Sequence, residues 1–217
     1  MAGVFTGIIT DIGRITKVER VETKGEGASQ SSWGDTRMEV ACAYDTSSIA
    51  LGASIAHAGA CMTVVETWPG GYAFEVSDES LSKTTMGDWR AGTSINLERA
   101  LTAADELGGH LVTGHVDGTG RLEGREEVAG SLRLTFSMPD VMLPGVAPKG
   151  SVVVDGVSLT VNDVSGDRFT VNIIPHTAEH TTLGALAVGD AVNLEMDLIA
   201  RYVARTLEHM GVVRDDT

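Results

Sequence analysis

Apolar and polar positions alternate along several short segments of the chain, a pattern typical of β-strands. In the stretch 149–162, which reads KGSVVVDGVSLTVN, two such segments at 151–154 and 158–161 flank the pair Asp155-Gly156. An Asp-Gly pair between β-branched runs indicates a hairpin, because both residues tolerate the positive φ of a tight primed turn. We therefore predict a β-hairpin at this point.

The same hairpin pattern occurs 97 residues earlier, at 54–64, which reads SIAHAGACMTV. Over 54–101, 12 of 48 positions are identical to 151–198, where unrelated sequences would share roughly three. The front of each half matches at an offset of 107, which pairs Thr6-Gly7 with Thr113-Gly114. The ten extra residues of the first half fall in the polar stretch 23–35, which we expect to be a surface loop. The chain is therefore predicted to contain two copies of one domain.

The strand pattern of each copy predicts a closed barrel. In the first copy we expect strands at 4–16, 36–42, 72–76 and 93–100 besides the hairpin, and one helical turn within 77–87. About six short strands without long crossover helices are typical of an antiparallel barrel. The predicted fold class is all-β, with two tandem six-stranded antiparallel Greek-key barrels at 1–103 and 104–197.

The last segment, 198–217, has no counterpart in the first half. Apolar residues recur there at three-and-four spacing, which predicts an amphipathic helix over 198–210. Its stripe consists of Ile199, Tyr202, Val203, Leu207 and Met210. Two roles are open: docking on the chain's own barrel, or association with other copies of the chain.

Composition narrows the class of protein. Of 217 residues 42% are hydrophobic, but no apolar run approaches the 18 residues or so of a membrane-spanning helix. A formal charge of −14 argues against nucleic acids and anionic membranes as partners. The two cysteines, Cys42 and Cys61, give neither a disulfide framework nor metal-ligand spacing. With no signal or transit peptide pattern, we expect a cytoplasmic protein.

Residues that could carry chemistry gather in four places: the N-terminal 5–9, the histidine-containing 108–118, the two hairpins, and the paired segments 75–80 and 172–178. Each also has a structural explanation, since threonine is common in strands and glycine permits bulges. A nucleophile elbow, a GxGxxG strand-helix unit and a Walker loop are all missing from the sequence, which disfavours hydrolases and nucleotide cofactors. The spacing thus indicates candidate sites without indicating a reaction.

These segments resemble the riboflavin synthases. The resemblance runs from position 5 to about 202, in the motifs VFTGIITDIG, SIAHAGACMTV, GGHLVTGHVDG, KGSVVVDGVSLTVN, NIIPHTAEHTTLG and VNLEMDLIARYV. It implies a homotrimer of two-barrel subunits, which favours association as the role of the terminal helix. The implied reaction is the dismutation of two molecules of 6,7-dimethyl-8-ribityllumazine to riboflavin and 5-amino-6-ribitylaminouracil, without cofactor or metal.

The resemblance also places the active site between the first barrel of one subunit and the second barrel of its neighbour, with two substrates bound there. It leaves open an association with lumazine synthase, the enzyme that makes the substrate. The alternative is a non-catalytic antenna protein that binds lumazine or flavin, because the family has such relatives. Both hairpins keep a thiol or hydroxyl, which favours the enzyme.

Site residues follow from the same resemblance. His115 is the candidate for proton transfer, since histidine ordinarily titrates near working pH. The implied catalytic residues are Phe5, Cys61, His115, Ser158 and Asp197. The implied substrate-binding residues are Gly7, Ile8, Ile9, Ser54, Cys61, Met62, Thr63, Glu75, Val76, Ser77, Asp78, Glu79, Ser80, Gly114, His115, Val116, Lys149, Ser158, Leu159, Thr160, Ile173, Ile174, Pro175, His176, Thr177 and Ala178. Ala58 stands where the family commonly has Asn, and Ser80 where it commonly has Thr.

Overall fold

The computed structural model describes residues 3–20 and 36–212 of the chain, and these form two closed barrels of six strands each. The predicted surface loop at 23–35 lies outside the described residues. The strands of the first barrel are β1 (Asp11–Arg20), β2 (Thr36–Ala41), β3 (Ser54–His57), β4 (Ala60–Trp68), β5 (Gly71–Val76) and β6 (Ser94–Arg99). Those of the second are β7 (Gly118–Val128), β8 (Ser131–Ser137), β9 (Ser151–Val154), β10 (Val157–Ser165), β11 (Arg168–Ile173) and β12 (Ala191–Met196).

Both barrels have the same topology. The strand order in the first is β1-β2-β5-β4-β3-β6, and β6 closes the barrel by pairing with β1. The second repeats this order with each strand replaced by the one six places further along the chain. All pairs within the two barrels are antiparallel, and closure gives every strand two neighbours. The predicted fold class and the predicted duplication are both confirmed.

The two predicted hairpins meet where the barrels contact each other. Ala58 and Gly59 have φ of 44° and 84°, and Asp155 and Gly156 have 46° and 83°, as expected for primed turns. A Cβ atom on Gly59 would lie 2.8 Å from the backbone nitrogen of Gly156. Glycine is therefore needed at this position for the close approach of the two turns as well as for the positive φ.

Residues 3–10 and 110–117 form what we call the first arm and the second arm. The prediction of a strand beginning at position 4 was wrong, because β1 begins only at Asp11. Gly7 has a φ of 75°, which breaks the extended path, and Phe5 pairs instead with Val112 through N···O distances of 2.8 and 3.0 Å. Under the offset of 107, Phe5 and Val112 are equivalent residues, so this bridge lies on the pseudo-twofold axis.

The arms cross from one barrel to the other. Ile9 of the first arm packs against the core of the second barrel, and the equivalent residue Val116 packs against the core of the first. A separate small cluster fills the space between the barrels, with Phe5 fully buried at its centre. It contains Phe5, Ala56, Val112 and Val153. Each arm therefore brings main chain from one barrel onto the surface of the other.

The described residues also form three α-helices, besides four short 3-10 helices. The two short α-helices are equivalent, α1 (Asp78–Lys83) and α2 (Pro175–His180), and α1 is the predicted helical turn. The third, α3 (Leu198–His209), confirms the predicted terminal helix. Among residues 3–20 and 36–212, no helix is long and apolar enough to cross a membrane.

The terminal helix contacts its own barrel through its polar side. The guanidinium of Arg201 pairs with the carboxylate of Asp117 at 2.9 Å. The apolar stripe points away, and Ile199, Tyr202 and Met210 are 69%, 66% and 68% exposed. Docking on the chain's own barrel therefore does not cover this stripe.

The buried Asp155 gives a testable pH dependence. Burial raises the pKa of its carboxyl to about 7, and the hydrogen bond from the Asn193 N–H, 2.8 Å long, offsets this only in part. Since the folded pKa exceeds the unfolded one of about 3.9, its contribution to stability is full below pH 4 and is lost as the pH rises to 7. Asp155→Asn keeps the acceptor oxygen and should remove this loss, raising the free energy of unfolding above pH 7 by on the order of 2–4 kcal/mol.

Urea denaturation between pH 4 and pH 8 checks this prediction. Asp163→Asn is the matched control, because Asp163 is an exposed residue of β10. Parallel pH profiles for the wild type and Asp155→Asn would contradict it.

Candidate active site

Two matching half-sites lie where an arm crosses a hairpin. In the first, the N–H of Cys61 donates to the carbonyl of Gly114, with an N···O distance of 2.9 Å. In the second, the N–H of Ser158 donates to the carbonyl of Gly7 at 2.8 Å. The repeat offsets make Cys61 equivalent to Ser158 and Gly7 equivalent to Gly114. We call these places the Cys61 half-site and the Ser158 half-site.

Strand alternation turns the predicted hairpin residues outward. On β4, Val64 points into the barrel core, so Cys61 and Thr63, three residues and one residue before it, lie on the outer face. Thr63 pairs with Ser54 across the hairpin. In the second barrel Thr160 is likewise opposite a serine, Ser151. Both threonines are exposed, so their hydroxyl groups are available to a ligand.

The Ser158 half-site contains a histidine that the predicted set of site residues omits. The Nδ1 of His110 lies 2.7 Å from the Oγ of Ser158. Burial lowers the pKa of His110, while the negative charge of Asp197 opposes this in part. Its Nε2 is buried and has no hydrogen-bond partner among the residues that the structure describes. A ligand bound at Ser158 could supply that partner.

The Cys61 half-site has no equivalent histidine. The offset of 107 places Gly3 where the second copy has His110. A Cβ atom at Gly3 would lie 2.9 Å from the Cβ of Ser54 and 3.2 Å from the Cζ of Phe5. The larger Phe5, in place of Val112, thus takes up space that a side chain at position 3 would need. The two half-sites share a framework and differ in their chemistry.

Two buried glutamates hold the arms in place, and neither belongs to the predicted set of site residues. One carboxylate oxygen of Glu98 accepts from the N–H and hydroxyl of Thr6 at 2.6 and 2.7 Å, and the other accepts from the N–H of Gly7 at 2.9 Å. Glu195 binds Thr113 and Gly114 in the same way, at 2.8, 2.6 and 3.0 Å. The internal repeat does indicate these two glutamates, since Asn-Leu-Glu occurs at 96–98 and again at 193–195.

The other predicted catalytic residues differ in how far their side chains are buried. His115 is exposed on the second arm, and its carbonyl accepts from Arg201 at 3.4 Å. Asp197 caps α3 by accepting from the N–H of Ile199 at 2.8 Å. Phe5 is fully buried behind Cys61, so it supports the half-site from within the interface between the barrels.

The predicted binding segments contribute mostly main chain and small polar groups. Val76, Leu159 and Ile173 have their side chains in the barrel cores, so only their backbone could touch a ligand. Ser77 caps α1 by accepting from the N–H of Ser80 at 3.2 Å. Besides Thr63, His115 and Thr160, the predicted residues with exposed side chains are Ile8, Glu75, Asp78, Glu79, Lys149, Ile174, Pro175 and His176. Besides Cys61, Ser77, Ser158 and Asp197, those that are half-buried are Ile9, Ser54, Met62, Ser80, Val116, Thr177 and Ala178.

The cavities of the chain only partly overlap the predicted site. A cavity of about 270 Å³ beside α2 includes Ile173, Pro175 and Ala178. A larger one, of about 600 Å³, lies between the first arm and residues 101–108 and includes Ile8 alone from the predicted set. Among residues 3–20 and 36–212, no group of three or more His, Cys, Asp and Glu side chains is placed to hold a metal ion.

Comparisons with known proteins agree with the duplication. The family model described as "Lumazine binding domain" matches residues 6–100 and 113–197. The chain is 45% identical over 211 residues to the riboflavin synthase of Brucella abortus, covering 95% of this chain and 99% of that protein. It is 37% identical to the riboflavin synthase of Mycobacterium tuberculosis, with 96% and 100% covered.

Solved structures show the same fold. The crystal structure of LumP complexed with 6,7-dimethyl-8-(1'-D-ribityl)lumazine matches with a TM-score of 0.74 at 23% identity, covering 88% of this chain and 98% of that chain. LumP complexed with riboflavin matches with a TM-score of 0.75 at the same identity and coverage.

The close contact between arm and hairpin predicts the effect of Gly7→Ala. A Cβ atom at Gly7 would lie 2.5 Å from the Cβ and 2.7 Å from the backbone nitrogen of Ser158. Gly52 is the matched control, because it has a similar φ of 84° and nothing within 4 Å of an added Cβ. Gly52→Ala should cost about 1 kcal/mol in backbone strain, and Gly7→Ala about 1–3 kcal/mol more from overpacking.

Urea denaturation of both variants measures the difference. Equal losses of stability would contradict the packing of the first arm on Ser158.

Proposed function

The chain belongs to the riboflavin synthase family of transferase-type enzymes, and from that premise we propose the reaction that it catalyses. One molecule of 6,7-dimethyl-8-ribityllumazine transfers a four-carbon unit to a second molecule, which yields riboflavin and 5-amino-6-ribitylaminouracil. The two products together contain all the atoms of the two substrates. The proposed reaction therefore consumes no oxidant or reductant, and it includes no cofactor or metal.

The observation that supports this proposal best is the pair of matched but unequal half-sites. Two identical substrate molecules need two similar binding surfaces, and the repeated hairpins and arms offer them. The substrates play opposite roles, so the surfaces must differ chemically, as Ser158 with His110 differs from Cys61. Holding two reactants face to face can lower the barrier by about 7–11 kcal/mol.

Proton transfer is assigned to the Ser158 half-site. In the proposed mechanism the C7-methyl group of one lumazine loses a proton, and the C7 carbon of the other is attacked by a nucleophile, either water or a side chain. The lowered pKa of His110 favours its neutral imidazole, the form that accepts a proton. His110 is therefore the first candidate for the base, and the exposed His115 is the second. Cys61 and Ser158 orient the reacting groups.

The proposal includes assembly into a homotrimer, with each active site formed by the first barrel of one subunit and the second barrel of its neighbour. Exposed hydroxyls at Thr63 and Thr160 and the exposed Lys149 would then face another chain. The uncovered stripe of α3 supports such an assembly, because a contiguous apolar surface is typical of interaction sites. Binding to lumazine synthase and location in the cytoplasm remain predictions.

Turnover of the lumazine tests the function. Purified protein is mixed with 6,7-dimethyl-8-ribityllumazine, and riboflavin formation is followed by absorbance. We expect one riboflavin for every two lumazines consumed, with no added cofactor. Binding of lumazine without turnover would contradict the enzyme and select the alternative, a non-catalytic antenna protein.

Substitution of the histidines tests the assignment of the base. His110→Gln should lower kcat by roughly 100-fold or more, a loss in the range for general acid–base catalysis, and His115→Gln should lower it less. The comparison variant is His209→Gln, which changes an exposed histidine at the end of α3. A larger loss in His115→Gln than in His110→Gln would reverse the assignment.

A further inference from the structure

The glutamates Glu98 and Glu195 each belong to one barrel but lie beneath the half-site of the other. Glu98 is on β6 of the first barrel, and its carboxylate holds Thr6 and Gly7 of the first arm. Both glutamates are almost fully buried, at 5% and 2% exposure. Burial raises the pKa of Glu98 and of Glu195, and the hydrogen bonds from the arms oppose that rise.

The residues held by Glu98 support both members of the Ser158–His110 pair. The carbonyl of Thr6 accepts from the N–H of His110 at 3.2 Å, and the carbonyl of Gly7 accepts from the N–H of Ser158 at 2.8 Å. The peptide between Thr6 and Gly7 is thus bonded on both sides, to Glu98 through the N–H of Gly7 and to His110 through the carbonyl of Thr6. The next peptide accepts from Ser158 through the carbonyl of Gly7. A displacement of the first arm would move the imidazole and the serine together.

The second glutamate repeats this arrangement with one member missing. Glu195 holds Thr113 and Gly114, and the carbonyl of Gly114 accepts from the N–H of Cys61. Gly3 takes the place of the histidine. The chain therefore contains the same support twice, once beneath a pair of functional side chains and once beneath a single thiol.

We propose that Glu98 and Glu195 are positioning residues that act crosswise, Glu98 of the first barrel on the Ser158–His110 pair and Glu195 of the second barrel on Cys61. The predicted effect on turnover rests on the proposed function. The positioning itself can be measured without turnover.

A carboxylate is needed because three donors converge on two oxygens. Glutamine has nearly the same size, but its amide nitrogen donates and would face an N–H of the arm in either orientation. Glu98→Gln and Glu195→Gln therefore break part of each support without leaving a cavity. Glu126→Gln is the control, since Glu126 is exposed and its contact with Arg133 is 3.8 Å long.

Two readouts separate crosswise positioning from a general loss of structure. The titration of the His110 imidazole is followed by NMR in the full-length protein, and the alkylation rate of Cys61 by iodoacetamide is followed by peptide mass spectrometry, which distinguishes it from Cys42. We expect Glu98→Gln to shift the His110 titration by about 0.5 pH unit or more and to leave the alkylation rate unchanged. Glu195→Gln should change the alkylation rate by about threefold or more and leave the titration unchanged. Asp197, whose charge acts on His110, is present in both variants.

Turnover adds a third comparison. Glu98→Gln should lower kcat by roughly tenfold or more with a smaller change in KM, because a misplaced catalytic group reduces rate more than binding. If the wild type makes no riboflavin, the proposed function fails, whereas the titration and alkylation results still decide the positioning. Equal effects of the two variants on both readouts, or no effect on either, would overturn the proposal.

Milder variants serve if a glutamine variant does not fold. Thr6→Val and Thr113→Val remove the hydroxyl donors to Glu98 and Glu195 and keep the backbone N–H bonds to both glutamates. Thr6→Val also removes the hydroxyl that accepts from the N–H of Ile8 at 3.2 Å. Both variants should show the same crosswise pattern with smaller amplitudes. If each threonine variant affected the His110 titration and the Cys61 alkylation rate equally, or affected neither, the proposal would likewise be overturned.

Discussion

The structure depends on the mutual hydrogen bonding of the two crossing arms. Buried backbone N–H and C=O groups must find partners, and between these barrels the partners come from the other copy. Phe5 bonds to its own repeat equivalent, Val112, while Gly7 and Gly114 receive the N–H groups of Ser158 and Cys61. Each copy supplies the hydrogen-bond partners for buried backbone groups of the other. Neither barrel could therefore move alone without leaving polar groups unpaired.

The hairpin turns add further hydrogen bonds between the two copies, along the same pseudo-twofold axis. The side-chain amide of Asn96 donates to the carbonyl of Asp155, and that of Asn193 donates to the carbonyl of Ala58. Two copies held in this way have equivalent frameworks at the two half-sites. Differences in function must then come from the side chains at the half-sites, chiefly Ser158 against Cys61, His110 against Gly3 and Val112 against Phe5.

The chain departs from its internal symmetry most clearly after the last strand of each barrel. Residues 101–108 follow β6 without a helix and border a cavity of about 600 Å³. After β12 the equivalent positions form α3, whose Arg201 binds Asp117, the counterpart of Thr10. The same barrel thus carries an open surface in one copy and a helix with an uncovered apolar stripe in the other.

The sequence alone determined the duplication, the barrel class, the hairpins and the terminal helix, because these follow from periodicity and local turn chemistry. It also determined that Cys61 and Ser158 are equivalent. Only the tertiary structure decided that the arms leave their own barrels, that His110 bonds to Ser158, and that Glu98 and Glu195 hold the arms. All of these depend on contacts between residues 48 or more positions apart. Long-range backbone pairing sets such contacts, and a single sequence has no periodic signal for them.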